Sequence, residues 1–540
     1  MTKPIRARIV CWQSSALALA LALSGSLTMA AHANPSQDAE VLIANGLVYT
    51  GEDKPGIWAD VALTGDRIIF VGDAKAEGIT AKRTIDATGM VVSPGLIDVH
   101  THSEAELTSQ DAAERRVPNH TLQGVSTIFI GNDGGGTPDI SAMAARLRTA
   151  PAAVNVAQFV GFGEVRKRVI GETARAASPD ELAAMRNMVG GAMCEGALGL
   201  SAGLYYAPQS YATTNEVIAL AEEAGWRGGI YDTHLRDESS DNIGLIAAVN
   251  EALEIGLRAS IPVHIAHIKA QGVDVHGKST EVIGIINAAR ARGQNVTADQ
   301  YPWIASGTRV SNALVPRWAM DGGMSEVVSR LGDPSLQDRL EREMADNIRR
   351  RGGPESILLT SGPHSGITLG ALAQQWGVTP VEAGMRVVRD EGDARIASFN
   401  MTTSDMENFA RQEWVISSSD ASTGHPRKFG SMPLRWRALV RKREVLTAQQ
   451  FIHRSTGLTA DIYGLTDRGY LRRGAFADVL VFDPRNFREN ADFANPTLLS
   501  QGVQFLFVNG TPVVEAGNPT SALPGSALLK PRAAGWQCPS

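Results

Sequence analysis

The sequence predicts an α/β protein: a TIM-like (β/α)8 barrel with a small β-sandwich domain built from both chain ends and a helical insertion late in the barrel. Three observations carry this. From about residue 91 to residue 425, apolar strand-like runs alternate with helix-length intervals, eight of those runs end in polar residues, and short β-like segments flank the region on both sides.

Residues 1–33 have the pattern of a signal peptide. Lys3, Arg6 and Arg8 precede the apolar run from Ala16 to Leu23, and Ala31-His32-Ala33 is a small-x-small cleavage site. The expectation is export, to a periplasm, with no stable membrane insertion once the signal is removed, because the apolar run is short for a span. Residues 34–92 form the first part of the sandwich, with β-like runs at 41–50, 60–72 and 83–92 broken by Asn-Gly and Gly-Asp turns. Residues 93–455 form the barrel. Its strands end near His102, Asp133, Gly163, Tyr205, His234, Lys269, Tyr301 and Asp420, and its helical intervals include 180–194, 214–226, 240–256 and 279–292. The interval 315–412 exceeds one crossover, contains the charged amphipathic stretch Leu336 to Arg351, and is expected to be an inserted lid or cap, or a structural extension. Residues 456–540 supply the second part of the sandwich and a tail, through the runs 475–483 and 503–515. Past residue 33 only Cys194 and Cys538 remain, enough for one bridge but not for a disulfide framework.

Composition narrows the function classes. The net charge is −6 and the chain is 43% hydrophobic and 20% charged, ordinary values for a globular enzyme. Clusters such as Arg435-Trp436-Arg437 are too diluted to displace phosphate counterions, so nucleic acid is excluded as a partner.

The chemistry concentrates at the strand ends, which a barrel brings to one mouth. His100 and His102, spaced i, i+2, project from one face of a strand as a metal-ligand pair. Asp133 ends the second strand before Gly134-Gly135-Gly136, either bridging or completing a metal shell or simply opening a Gly-rich turn. His234 ends the fifth strand among charges. On the sixth, His264 and His267 are three apart, which a strand directs to opposite faces. His267 lies nearer the C-terminal end and is assigned to metal, His264 to packing. Imidazole and carboxylate ligands without thiolate suit Zn2+, as one or two ions, and an open ligand position would make a hydrolase. Asp420, ending the eighth strand, is the candidate general base and acid. Its alternative role is to cap the next helix or orient His425. Lys269, Tyr301 and Arg427 put more donors at this mouth than amide hydrolysis needs, and a small-molecule substrate bearing a carboxylate accounts for them.

These residues resemble the amidohydrolase superfamily and, within it, the D-aminoacylase or N-acyl-D-amino-acid deacylase group. The resemblance runs through Gly95-Leu-Ile-Asp-Val-His-Thr-His102, Gly203-Leu-Tyr-Tyr-Ala-Pro208, Thr233-His-Leu-Arg-Asp-Glu238, Ala266-His-Ile-Lys269, Tyr301-Pro302, Ser419-Asp420 with His425-Pro-Arg427, and Ala477-Asp-Val-Leu-Val-Phe-Asp483. It implies metal histidines at His100, His102, His234 and His267, a catalytic aspartate at Asp420, carboxylate binding by Lys269, Tyr301 and Arg427, and zinc-dependent deacylation of N-acyl-D-amino acids. Two departures stand out: Asp133 occupies the place of the group's frequent metal-binding Cys, and Gly161-Phe162 stands where relatives often have Gly-His. The competing readings are a dipeptidase acting on a C-terminal D-residue, a hydantoinase-like or dihydroorotase-like cyclic-amide hydrolase, and a catalytically dead exported binding protein. The cyclic-amide enzymes usually carry a carboxylated lysine on the fourth strand, and Gly199-Leu-Ser-Ala-Gly-Leu-Tyr-Tyr206 has none.

Overall fold

A computed structural model describes residues 38–539. The leader-like segment lies outside the described residues. The main body is a series of short, fully buried parallel strands. Leu96–Asp98, Val125–Ile130 and Asn155–Gln158 make one parallel ladder, and after Phe159 a second runs through Val160–Gly161, Gly199–Gly203, Ile230–His234, Val263–Ile265, Val296–Gln300 and Val415–Ser417. Burial on both faces is why these segments read as continuous apolar runs rather than alternating ones. Just past the last strand, the Ser419 backbone N–H donates to Asp98 Oδ1 at 2.9 Å, and Thr101 and Ala421 form a parallel bridge, so the end of the series is bonded to its beginning.

The helices between the strands follow from local chemistry. Ser178 and Glu181 form a capping box at the start of Pro179–Glu195, and Thr213 caps Thr214–Trp226 by accepting from the Glu216 N–H. Met185, Val189, Met193, Val217 and Leu220 from these helices and Val249 from the helix Leu245–Arg258 pack on one face of the strands in one cluster. In a second cluster, Ile97, Phe129, Phe159, Leu198, Ile230 and Ile416 pack with Tyr463 of the helix Gly457–Tyr463. The Phe129 and Tyr463 rings meet edge to face at 4.7 Å. The third expected strand terminus, Gly163, lies instead in the first turn of the helix Phe162–Ile170.

Both chain ends meet in one sheet. Val91–Pro94, which leads into the first parallel strand, pairs antiparallel with Val479–Phe482, which continues into Val503–Val508 and Thr511–Glu515. On its other side Val91–Pro94 pairs with the end of Asp38–Val48, whose first half pairs with Thr80–Asp86. The hydrogen bonding is thus one branched nine-stranded sheet, enclosing a cluster that includes Ile43, Val61, Ile68, Val92, Val479 and Phe507.

The inserted segment corrects the sequence reading. It begins near Ser306, not at 315, and it is not purely helical: Ser306–Arg309, Arg395–Ser398 and Ile357–Leu359 form a three-stranded antiparallel sheet. Strands of three or four residues are too short for alternation to show in a sequence. Its helices, including Gln337–Arg350 and Pro380–Asp390, share a separate core of Leu314, Leu340, Met344, Leu372 and Val387. The helix Thr403–Ala410, counted in the insertion by the sequence, packs instead on Ser279–Ala291 and Val415–Ser417 as part of the parallel series.

The tail returns to the body. Ala527–Leu528 adds a parallel strand beside Asn155–Gln158, Arg227 donates to the Gln537 carbonyl at 2.8 Å, and Cys194 and Cys538 are disulfide-bonded with their Cα atoms 6.0 Å apart. Cys538→Ser is expected to lower stability by about 2–4 kcal/mol, read as a lower Tm and faster amide exchange over residues 527–539. No helix among the described residues is long and apolar enough to cross a membrane.

Candidate active site

The C-terminal ends of the parallel strands bring the sequence-selected side chains to one place. His100 and His102 follow the first strand, with ring centroids 5.4 Å apart. Asp133 follows the second at φ 55, a left-handed conformation for a residue with a side chain, and Gly134 continues the turn at φ 77. The turn is closely packed: a Cβ on Gly203, in the fourth strand, would lie 2.4 Å from the Asp133 carbonyl oxygen. His234 closes the fifth strand and His267 lies two residues beyond the sixth. His267 and Asp420 are also left-handed, at φ 35 and φ 48. Non-glycine residues pay about 1–3 kcal/mol each for such backbone, and their clustering is typical of functional sites.

The Asp133 carboxylate stands among the four imidazoles. Its Oδ1 is 3.5 Å from His100 Nε2, 3.5 Å from His267 Nε2 and 3.9 Å from His234 Nδ1, and its Oδ2 is 3.4 Å from His102 Nε2. Asp420 Oδ1 lies 3.5 Å from His102 Nε2 and 3.9 Å from His100 Nε2. These separations are long for hydrogen bonds. They match the edge of a tetrahedron of ligands, about 3.4 Å for metal–ligand bonds of about 2.1 Å. Both ring nitrogens of His100 and Oδ1 of Asp133 are buried without any hydrogen-bond partner, so the one lone-pair nitrogen of the neutral imidazole and the carboxylate oxygen remain free for a cation. Overlapping ligand groups arise: His100, His102 and Asp133; Asp133, His234 and His267; His100, His267 and Asp420. Asp133 belongs to two of them, the position of a bridging carboxylate.

Two carboxylates that sequence reading passed over support these imidazoles. Asp299, two residues before Tyr301 on the seventh strand, accepts from the His267 backbone N–H at 3.0 Å and lies 3.0 Å from His264 Nε2 and 4.0 Å from His100 Nδ1. His264 is therefore a polar member of the layer beneath the site rather than a packing residue. The strand ends at Ile265 and the left-handed His267 breaks the alternation that assigned the two histidines to opposite faces. Glu238, four residues after His234, holds Lys269 Nζ at 2.6 Å and lies 3.3 Å from His267 Nδ1. The spacing in Thr-His-Leu-Arg-Asp-Glu was the available signal for it.

The charges are tightly coupled. Burial pushes the Asp420 carboxyl up, but the Arg427 guanidinium and the nearby imidazoles outweigh it and hold Asp420 well below the usual carboxylate range. Burial depresses the His102 imidazole, yet the two carboxylates that face it, Asp133 and Asp420, raise it to about 10. Asp420 Oδ2 is bound by Arg427 at 2.7 Å, which leaves Oδ1 facing the histidines. His425 accepts from the Arg427 backbone N–H at 3.0 Å, so it positions Arg427.

A cavity of about 270 Å³ opens over this constellation, lined by Asp133, Lys269, Tyr301, Asp420 and Arg427 among others, with Ser306, Thr308, Arg309, Arg351 and Arg395 of the inserted segment forming one wall. Lys269 is committed to Glu238 and, at 2.8 Å, to His267 Nδ1. The Arg427 guanidinium sits 4.9 Å from the centre of the Tyr301 ring. Phe162, at the second sequence departure, is fully buried in the outer core and does not reach the cavity.

Known proteins with this combination are similar along nearly the whole chain. Residues 83–298 match the model of the Amidohydrolase family. D-aminoacylase of Alcaligenes xylosoxydans xylosoxydans is 32% identical over 88% of this chain and 95% of that protein, and N-acyl-D-aspartate deacylase of the same organism is 31% identical over 93% and 97%. The crystal structure of N-acyl-D-glutamate deacylase from Bordetella bronchiseptica, complexed with zinc and a phosphonate mimic of the tetrahedral intermediate, superposes with a TM-score of 0.77 at 27% identity, covering 91% of this chain and all of that one. The α/β fold is that of the amidohydrolase TIM-barrel proteins, and with such identity sustained over 88–93% of its length the chain belongs to the N-acyl-D-amino-acid deacylase family of amidohydrolases.

Proposed function

We propose that this protein is a zinc-dependent deacylase of N-acyl-D-amino acids, acting on a linear amide next to a carboxylate. The observation that carries the reading is the placement of Asp420: one carboxylate oxygen is held by Arg427 and the other faces the imidazole and Asp133 cluster across the same cavity. His100, His102, Asp133, His234 and His267 would hold one or two zinc ions, which supply Lewis acidity toward the amide carbonyl and lower the pKa of water.

The chain's own residues do the rest. Asp420, kept ionised by Arg427, takes a proton from the attacking water on Oδ1 and returns it to the departing amine nitrogen. Arg427 and Tyr301 bind the substrate carboxylate, and Lys269 adds positive charge while Glu238 fixes its position. Glu238 and Asp299 orient His267 from two sides, as outer-shell carboxylates do. Asp299→Asn is expected to weaken zinc binding about 10–100-fold, measured by competition with a chelating dye; unchanged affinity would remove Asp299 from that role.

The same reading extends to architecture and location. The parallel series is a (β/α)8 barrel closed by the Asp98–Ser419 and Thr101–Ala421 contacts, with a small β-sandwich built from both chain ends. The protein is exported and cleaved after Ala33, a reading supported by the Cys194–Cys538 bridge, since disulfides persist in oxidising compartments. Among rival reactions, cyclic-amide hydrolysis through a carboxylated lysine is disfavoured because the strand Gly199–Gly203 carries no lysine.

The test is a panel of N-acetyl D- and L-amino acids and of dipeptides with a C-terminal D-residue, assayed for free amine with protein lacking residues 1–33. Release from the N-acetyl D-series is the expected result. Activity confined to the L-series or to dipeptides would overturn the reading.

A further inference from the structure

One wall of the catalytic cavity carries two guanidinium groups that α-carboxylate binding leaves unused. Ser306–Arg309 and Arg395–Ser398 are antiparallel neighbours whose register sets Arg309 directly opposite Arg395, and both residues line the cavity. Like charges directly opposite one another on a ladder are destabilising. Among the described residues, no carboxylate forms an ion pair with either guanidinium. Among the described residues, Arg309 donates to the Asp393 backbone carbonyl at 2.9 Å, while the half-buried Arg395 is held through its backbone and its guanidinium has no ion pair. The Asp393 carboxylate is occupied by Ser311, accepting from its backbone N–H at 2.8 Å and its hydroxyl at 2.7 Å. The other cations of the cavity are engaged: Lys269 with Glu238, Arg427 with Asp420, and Arg351 with the Tyr205 hydroxyl at 3.1 Å. Burial and the positive charge of Arg309 and Arg427 also make Arg395 a weaker base than usual, so an incoming anion relieves an existing repulsion.

We propose that Arg309 and Arg395 receive a second carboxylate of the substrate. The inference rests on the deacylase reading and narrows its substrate class to dianionic N-acyl-D-amino acids. The second carboxylate belongs to an acidic side chain or to the acyl group, and the fold favours the side chain. Gly307, two residues before Arg309, lies against Arg427, where an added Cβ would be 3.3 Å from the guanidinium nitrogen. Two residues of strand span about 7 Å. The pair therefore lies one short step from the guanidinium assigned to the α-carboxylate, as the two acid groups of aspartate or glutamate require. Planar guanidinium forks from two strands suit such a carboxylate.

The experiment compares kcat/KM for N-acetyl-D-glutamate and N-acetyl-D-aspartate with the isosteric N-acetyl-D-glutamine and N-acetyl-D-asparagine, and for N-succinyl-D-leucine with N-acetyl-D-leucine. It uses the zinc-loaded wild type, Arg395→Met, Arg395→Lys and Arg309→Met. The acid-over-amide ratio is expected to exceed about 10 in the wild type, to fall about 10–100-fold in Arg395→Met, and to recover in part in Arg395→Lys. A preference shown only by the succinyl pair would place the second carboxylate on the acyl group. Turnover of neutral substrates with no acid preference in either arm, or a ratio unmoved in both methionine variants, refutes this inference and leaves the deacylase reading standing. Absence of turnover across the whole panel overturns both.

Discussion

Replacing Asp420 with Asn is expected to lower kcat on N-acyl-D-amino acids by about 100–10,000-fold while leaving bound zinc nearly unchanged. The range is that contributed by a positioned general acid–base. The isosteric amide keeps an oxygen for Arg427, so the buried guanidinium retains a partner at the 2.7 Å contact and the fold should hold. What Asn cannot do is accept a proton on the atom facing His100 and His102. Zinc content by elemental analysis, read beside kcat and KM, separates this role from a ligand role: loss of metal together with activity would make Asp420 chiefly a ligand. Turnover within a few-fold of wild type would remove the proton shuttle from the mechanism.

Stripping the metal is the second large effect. Dialysis against a chelator should abolish turnover, and stepwise addition of zinc should restore it, with the activity plotted against equivalents of metal per chain. Asp133 decides the shape of that curve. Because its carboxylate lies within 3.4–3.9 Å of nitrogen atoms of all four histidines, it is shared between ligand groups rather than belonging to one. Asp133→Ala should therefore weaken zinc binding by more than the about 10–100-fold loss that follows removal of an outer-shell partner. Asp133→Cys should shift preference toward softer metals, measured by competition between zinc and cadmium. Full activity in chelator-treated protein, confirmed metal-free, would end the metal-dependent mechanism for this chain.

How much of this was legible in the sequence differs from residue to residue. His100 and His102 announced themselves because i, i+2 spacing at the end of an apolar run keeps two side chains on one side, although the strand itself ends at Asp98. His234 and Asp420 stood out as polar termini of apolar runs. Asp299 and Glu238 did not, since each is one acidic residue among 57 and its importance lies in what it faces across strands. His264 was misread because strand alternation was extended past Ile265, where left-handed backbone at His267 ends it. The sheet of the inserted segment was missed for a related reason: strands of three or four residues carry no period to read.

The amino-acid order by itself determined the local choices: strand or helix, where caps and turns fall, and which strand ends carry ligands, because propensity and periodicity act over a few neighbouring residues. Only the tertiary structure decided that Asp133 sits among four imidazoles, that Lys269 and Arg427 are already engaged by Glu238 and Asp420, and that Arg309 faces Arg395 across the cavity wall. These are pairings between segments tens to hundreds of residues apart. Their geometry is set by packing and ladder register, which depend on the whole chain, and the chemistry of the site lies in those distances.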